Sequence, residues 1–137
     1  MPDAKPESKR SWAPIALGAV IPAPAGAYSV AVRAGGLVFV SGQIPKDPAT
    51  GAVVGNDVEG QTRQVLKNLD AILRAAGGTL ADVVSVTAYL ADPDDWGSFN
   101  AVYREVMPPP YPSRTAVGAV LRGIRVELSA VAYIPIG

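Results

Sequence analysis

The sequence predicts a single α+β domain, one mixed β-sheet with two helices packed on one face. Three observations carry this. The chain has 137 residues, one domain on a prior of about 150 residues each. A domain of that size buries roughly two-thirds of the surface its unfolded chain exposes, enough for a core without staples. Hydrophobic residues make up 49% and charged residues 18%, a globular rather than a disordered composition. The apolar patterns then alternate between strand-like and helix-like periods in the order ββ–α–β–α–ββ, with room for one short strand earlier. The 14 glycines and 13 prolines are spread among the apolar runs and mark turns rather than a low-complexity segment.

Residues 1–10 are polar and read as a flexible lead-in to a domain spanning 11–137. The stretch Ser11–Ala27 imitates a secretory signal, with nearby positive charge, an apolar run and small residues at its end. Pro14 and Gly18 interrupt the apolar run, and Asp3 and Glu7 sit among the basic residues, so a structural role is the expectation. No run approaches the roughly 18 apolar residues of a membrane span. Tyr28–Arg33 and Leu37–Ser41 read as a hairpin broken by Ala34-Gly35-Gly36, and Gly42–Gly51 as a loop. A helix is expected over Asp57–Ala76, where Val58, Thr62, Val65, Leu69, Ile72, Leu73 and Ala76 recur at helical spacing. Asn56 with Glu59 offers a capping box, and Gly77-Gly78 a stop.

Val83–Leu90 is β-branched and reads as a strand. A second helix opens at Asp92-Pro93, with Asp92 as cap and proline at the first helical position. Its apolar stripe is Trp96, Phe99, Tyr103 and Val106, and Pro108-Pro109-Pro110 ends it. Two strands follow, near Arg114–Val120 and Arg125–Ile134. The last alternates, with Val126, Leu128, Ala130, Ala132 and Ile134 on one side and Arg125, Glu127, Ser129, Val131 and Tyr133 on the other.

Composition removes whole classes of function. Lysine plus arginine and aspartate plus glutamate both number 12, so the formal charge is zero. Such a chain has no excess of cations to release counterions from nucleic acid or to hold an anionic membrane, and neither partner is expected. There is no histidine and no cysteine, which excludes Cys–His and Ser–His catalysis, disulfides, and imidazole or thiolate metal sites. Neither a phosphate loop nor a nucleophile elbow is present. Asp92, Asp94 and Asp95 suggest a metal, but helix capping explains them more cheaply, so no metal is expected.

Any catalysis must therefore use Asp, Glu, Arg, Lys, Tyr, Ser, Thr, the backbone and water. Arg114 sits between a proline-rich loop and a strand, and its planar fork fits a carboxylate bidentately. An ordinary ion pair is the alternative. Glu127 reads either as a solvated strand residue, paired with Arg125, or as a carboxylate that activates water. Tyr28 reads as a half-buried strand aromatic and Ser41 as a turn residue. Asn100 is a poor helix former inside a helix, bonded to a neighbouring loop.

Four stretches together resemble the RidA (YjgF) family of reactive-intermediate imine deaminases. They are Gly26-Ala-Tyr-Ser29; Val38-Phe-Val-Ser-Gly-Gln-Ile-Pro45 with Asp47-Pro-Ala-Thr-Gly51; the helix motif from Gln61 through Asn68 to Gly77; and Phe99-Asn-Ala-Val-Tyr103 with Pro112-Ser-Arg114 and Val126-Glu127. The resemblance implies a chorismate-mutase-like fold and a homotrimer with a barrel-like assembly and clefts between subunits. It implies hydrolysis of enamines and imines such as 2-aminoacrylate and 2-iminobutyrate to 2-keto acids and ammonia, with no cofactor. Such species leave pyridoxal-dependent dehydratases, which makes the role one of metabolite damage control in the cytoplasm. By the same resemblance Arg114 grips the substrate carboxylate and Glu127 lies near the attacking water. Tyr28, Ser41, Gly42, Asn100 and Ala116 line the cleft, some from the neighbouring subunit. Ala116 stands where the family commonly has cysteine. Two other readings stay open: a non-catalytic module holding a small carboxylate metabolite between subunits, and a deaminase for a bulkier amino-enoate.

Overall fold

A computed structural model describes residues 9–136, so most of the expected lead-in lies outside the described residues. The elements run β1 (Trp12–Pro14), β2 (Ala31–Ala34), β3 (Leu37–Gln43), α1 (Val58–Ala75), β4 (Val83–Leu90), α2 (Trp96–Val106), β5 (Ser113–Gly118) and β6 (Val126–Tyr133). The six strands make one open sheet in the order β1-β2-β3-β6-β4-β5. Only β4 and β5 pair in parallel; the remaining neighbours are antiparallel. A parallel pair needs a long crossover, and α2 supplies it. That crossover lays α2 over β5, which carries Arg114.

The alternation expected of the strands is observed. Val38, Val40, Val86, Ala88, Leu90, Val126, Leu128, Ala130 and Ala132 point to the helices, each 4% exposed or less. They meet Val65, Leu66, Leu69, Ile72 and Leu73 of α1 and Phe99 and Tyr103 of α2 in one core. Two helices on one face of a mixed sheet is the α+β architecture the sequence predicts. Among the described residues no layer covers the other face, and Trp12, Leu37, Phe39, Val117 and Tyr133 lie exposed there or at its margin. Two bulges break the ladders: Val40 and Gln43 of β3 face Ala130 and Leu128 of β6, and Val83 and Ser85 of β4 face Ala132 and Val131. Each inserts one extra residue, which bends a strand and re-aims its side chains.

Several local expectations are corrected. Asp57, not Asn56, caps α1: its backbone is extended and its Oδ1 accepts from the Gly60 N–H at 2.8 Å. A carboxylate there also complements the helix dipole better than an amide. The capping box occurs instead at Thr79 and Asp82, before β4. Asp92 does cap, with Oδ1 accepting from the Asp94 N–H at 2.9 Å, but Pro93–Asp95 form a 3-10 turn and α2 starts at Trp96. Arg125 pairs with Asp95, Nε to Oδ2 at 3.0 Å, and so leaves Glu127 free of it. The first hairpin strand begins at Ala31, because Tyr28 is held in a tight turn by its N–H to the Gly26 carbonyl at 2.9 Å. The stretch resembling a signal supplies β1, and its Ile15, Leu17 and Ile21 pack on the core.

Burial and surface charge contribute unequally here. Leu69→Ala, at a site with no exposure, is expected to cost about 2–5 kcal/mol in urea unfolding. The exposed Arg63–Glu105 pair, 2.6 Å long, joins α1 to α2 and holds the Glu105 carboxyl below its ordinary range. Its contribution is therefore full at neutral pH and is lost as pH falls through that lowered value. Arg63→Ala should cost far less than Leu69→Ala at neutral pH and nothing in strong acid. Equal losses from the two variants would contradict this.

Candidate functional site

Arg114 lies in register with buried Val86 on the neighbouring strand, so its side chain points to the helix-covered face beneath α2. Its Nη1 donates to Asn100 Oδ1 at 2.9 Å. The guanidinium carbon stands 4.6 Å from the Tyr103 ring centroid and 5.7 Å from those of Trp96 and Phe99. Arginine over aromatic rings gains about 0.5–2 kcal/mol per contact, more when desolvated. Trp96, Phe99, Asn100 and Tyr103 follow the spacing i, i+3, i+4, i+7, which is why one helix face delivers all four. The ion-pair reading finds no carboxylate partner for Arg114 among the described residues. The guanidinium is thus oriented by three rings and an amide while much of its fork stays unfilled.

Tyr103 is 3% exposed, and its hydroxyl is buried with no hydrogen-bond partner among the described residues. Burial pushes its phenol above the ordinary value, with the Arg114 cation pulling the other way. A cavity of about 220 Å3 opens here, lined by Asn100, Tyr103, Arg104, Tyr111, Pro112 and Arg114.

Glu127 belongs to a second cavity. It is registered with Tyr89 on the opposite face of the sheet from Arg114. The β3 bulge carries Ser41 and Gly42 to it. A Cβ built on Gly42 would lie 3.0 Å from the Glu127 Cδ and strike Oε2, so only glycine lets the carboxylate lie against this backbone. This cavity holds about 630 Å3, and its walls include Tyr28, Ser41, Gly42, Glu127 and the Pro22–Ala25 loop. Asn68 fixes its far side by donating to the Lys46 and Ile44 carbonyls at 2.8 and 3.3 Å. The Ser41 hydroxyl donates to the Ser29 carbonyl at 2.6 Å, a bond to the segment before β2 rather than the local turn bond expected, and so offers a ligand only an acceptor.

The sequence-predicted residues therefore fall into two groups. Tyr28, Ser41, Gly42 and Glu127 share one cavity, and Asn100 and Arg114 the other. Strand β4 lies between β6 and β5, and Glu127 and Arg114 leave opposite faces of the sheet. Ala116 sits in register with Ala88, packs on the core and lines neither cavity. Sequence reasoning missed the aromatic box that Trp96, Phe99 and Tyr103 form around Arg114. It read Trp96 and Tyr103 as core stripe, although their spacing from Asn100 was the available signal. Arg104 and Tyr111 were not singled out.

Two variants check this geometry. Tyr103→Phe removes a hydroxyl that makes no bond in the free chain, so stability should hold or rise slightly; a loss above about 1 kcal/mol would mean the hydroxyl has a partner. Gly42→Ala should drive the Glu127 carboxylate off the β3 backbone, visible in a crystal structure of the variant; an unmoved carboxylate would contradict the packing described.

Comparison with known proteins agrees with this architecture. A family model described as Endoribonuclease L-PSP matches residues 19–134. A RutC family protein of Pyrococcus horikoshii is 46% identical over 114 residues, covering 82% of this chain and 90% of its own. The 2-iminobutanoate/2-iminopropanoate deaminase of Rattus norvegicus is 42% identical over 113 residues, covering 81% and 82%. Among solved structures, RidA from an Antarctic Psychrobacter superposes with a TM-score of 0.80 at 37% identity, covering 85% of this chain and 96% of that one. E. coli TdcF with bound serine gives 0.78 at 33% identity, covering 85% and 94%. With its fold and residues 19–134 matched, the chain belongs to the RidA (YjgF) family.

Proposed function

We propose that the protein hydrolyses small 2-imino acids and their enamine tautomers, of the 2-aminoacrylate and 2-iminobutanoate type, to 2-keto acids and ammonia. The observation that carries this is Arg114: a buried-side guanidinium with no carboxylate partner, pre-oriented by Trp96, Phe99, Tyr103 and Asn100. Such a group is built to receive an acid from outside the chain. The relative named 2-iminobutanoate/2-iminopropanoate deaminase supports the choice of substrate.

Substrate carboxylate binds Arg114, which fixes the imine carbon. Glu127 takes a proton from a water whose oxygen attacks that carbon, and the C=N π electrons move to nitrogen. Glu127 returns the proton to nitrogen to give the carbinolamine, then takes the hydroxyl proton and passes it to the same nitrogen, so that the C–N bond breaks and ammonia leaves as the carbonyl forms. An imine carbon is already electrophilic, so the steps need placement and one proton relay, with no cofactor.

Because Arg114 and Glu127 occupy opposite faces, the reading requires that one chain supply Arg114 and a second supply Glu127. We infer a homotrimer whose subunits cover each other's open sheet face, which otherwise leaves Phe39, Val117 and Tyr133 in water. We place the protein in the cytoplasm, since the signal-like stretch is instead built into the sheet and the wall of the larger cavity.

The test couples a dehydratase that releases 2-aminoacrylate or 2-iminobutanoate to detection of keto acid. Wild type should accelerate its appearance, and Arg114→Ala should lower kcat/KM about a hundredfold. Arg114→Lys should also fail, because a point charge neither fills the fork nor stacks in the box. No acceleration by wild type would sink the proposal. Sedimentation should give the mass of three chains; the mass of one would contradict the shared site.

A further inference from the structure

Within one chain, the cavity beside Arg114 is chemically one-sided. Its lining holds two guanidinium residues, Arg104 and Arg114, with Asn100, Tyr103, Tyr111 and Pro112, and no carboxylate. The acids nearest along the helix are engaged elsewhere: Glu105 with Arg63 at 2.6 Å, and Asp95 with Arg125 at 3.0 Å. Arg104 makes no salt bridge among the described residues. Tyr111 donates its hydroxyl to the Arg104 carbonyl at 3.2 Å, which ties the loop before β5 to the end of α2 and closes one wall. The Tyr103 hydroxyl adds a buried donor that has no acceptor. Two arginines without an ion-pair partner among the described residues and a buried hydroxyl without an acceptor thus border one cavity of about 220 Å3.

A single carboxylate occupies one arginine fork and leaves the second unmatched. We propose that this cavity is a subsite for a second acid group, with Arg114 taking one carboxylate and Arg104 and the Tyr103 hydroxyl the other. The ligands preferred are then small dicarboxylates, and the substrates preferred are 2-imino acids bearing a second carboxylate. The substrate half rests on the deaminase reading; the ligand half does not.

Calorimetric titration of the full chain with succinate and with butanoate tests the subsite directly. The two have equal carbon counts and differ in one acid group. Succinate should bind about tenfold tighter or better, the worth of one added charge-assisted contact. Arg104→Gln should bring the ratio to about one. Tyr103→Phe should weaken succinate while leaving the urea midpoint in place, which separates a ligand contact from a structural one. Arg74→Gln, whose partner is Asp70 within α1, should leave the ratio as it is. Equal binding of the two acids by wild type, no detectable binding of either, or an unchanged ratio in Arg104→Gln overturns the subsite.

Parallel assays on the imines of aspartate and 2-aminobutyrate keep the two readings distinct. Hydrolysis without succinate preference removes the subsite and keeps the deaminase. Succinate preference lost in Arg104→Gln, with neither imine hydrolysed, keeps the subsite and removes the deaminase.

Discussion

An arginine beneath a helix usually finds a carboxylate, because a desolvated cation is costly alone. Arg114 does not find one. Three aromatic rings of α2 and the Asn100 amide hold it instead. Aromatic faces orient a guanidinium without neutralising it, so the charge stays available to an external anion. Much of the architecture serves this arrangement. The parallel pairing of β4 and β5 requires a crossover, the crossover is α2, and α2 presents its aromatic face to β5. Pro108-Pro109-Pro110 stop the helix soon after that face is complete.

The second constraint is the separation of Arg114 from Glu127. Side chains of a sheet alternate between faces, and one residue of register decides which. Glu127 is odd relative to the buried set Val126, Leu128 and Ala130, and Arg114 is level with buried Val86. The two side chains thus leave opposite faces of the sheet, with β4 between their strands. The open face is also the one that exposes large apolar side chains. Site chemistry and surface burial thus ask for the same remedy, a second copy of the chain.

Most of the fold was legible in the sequence. The strand Val83–Leu90 and the alternation of β6 follow from β-branched content and period two, and α1 from seven apolar positions at helical spacing. The start of α2 was not, because Asp-Pro-Asp-Asp suits a 3-10 turn as well as an α-helix; the turn is made by the Asp95 N–H donating to the Asp92 carbonyl at 3.0 Å. The bulge at Ser41-Gly42 was not legible either. Register is a property of two strands, and only the pairing with β6 shows that β3 carries a residue more. At the site, chemical type alone left Arg114 and Glu127 as ordinary ion-pair candidates and the family resemblance singled them out, whereas the aromatic box was missed: Trp96 and Tyr103 satisfy a core pattern equally well. Which rings meet the guanidinium depends on how α2 lies over β5, a tertiary fact.

The central claim is that one chain's Arg114 works with another chain's Glu127. Subunit complementation tests it most directly. Arg114→Ala and Glu127→Gln chains, each inactive alone, are unfolded, mixed in equal amounts and refolded together, and imine hydrolysis is measured. If the halves come from different subunits, random mixing rebuilds about a quarter of the sites with both groups intact, and activity returns to about a quarter of wild type. If both groups act within one chain, no mixture contains an intact site, and activity that stays at the level of the separate variants would contradict the account.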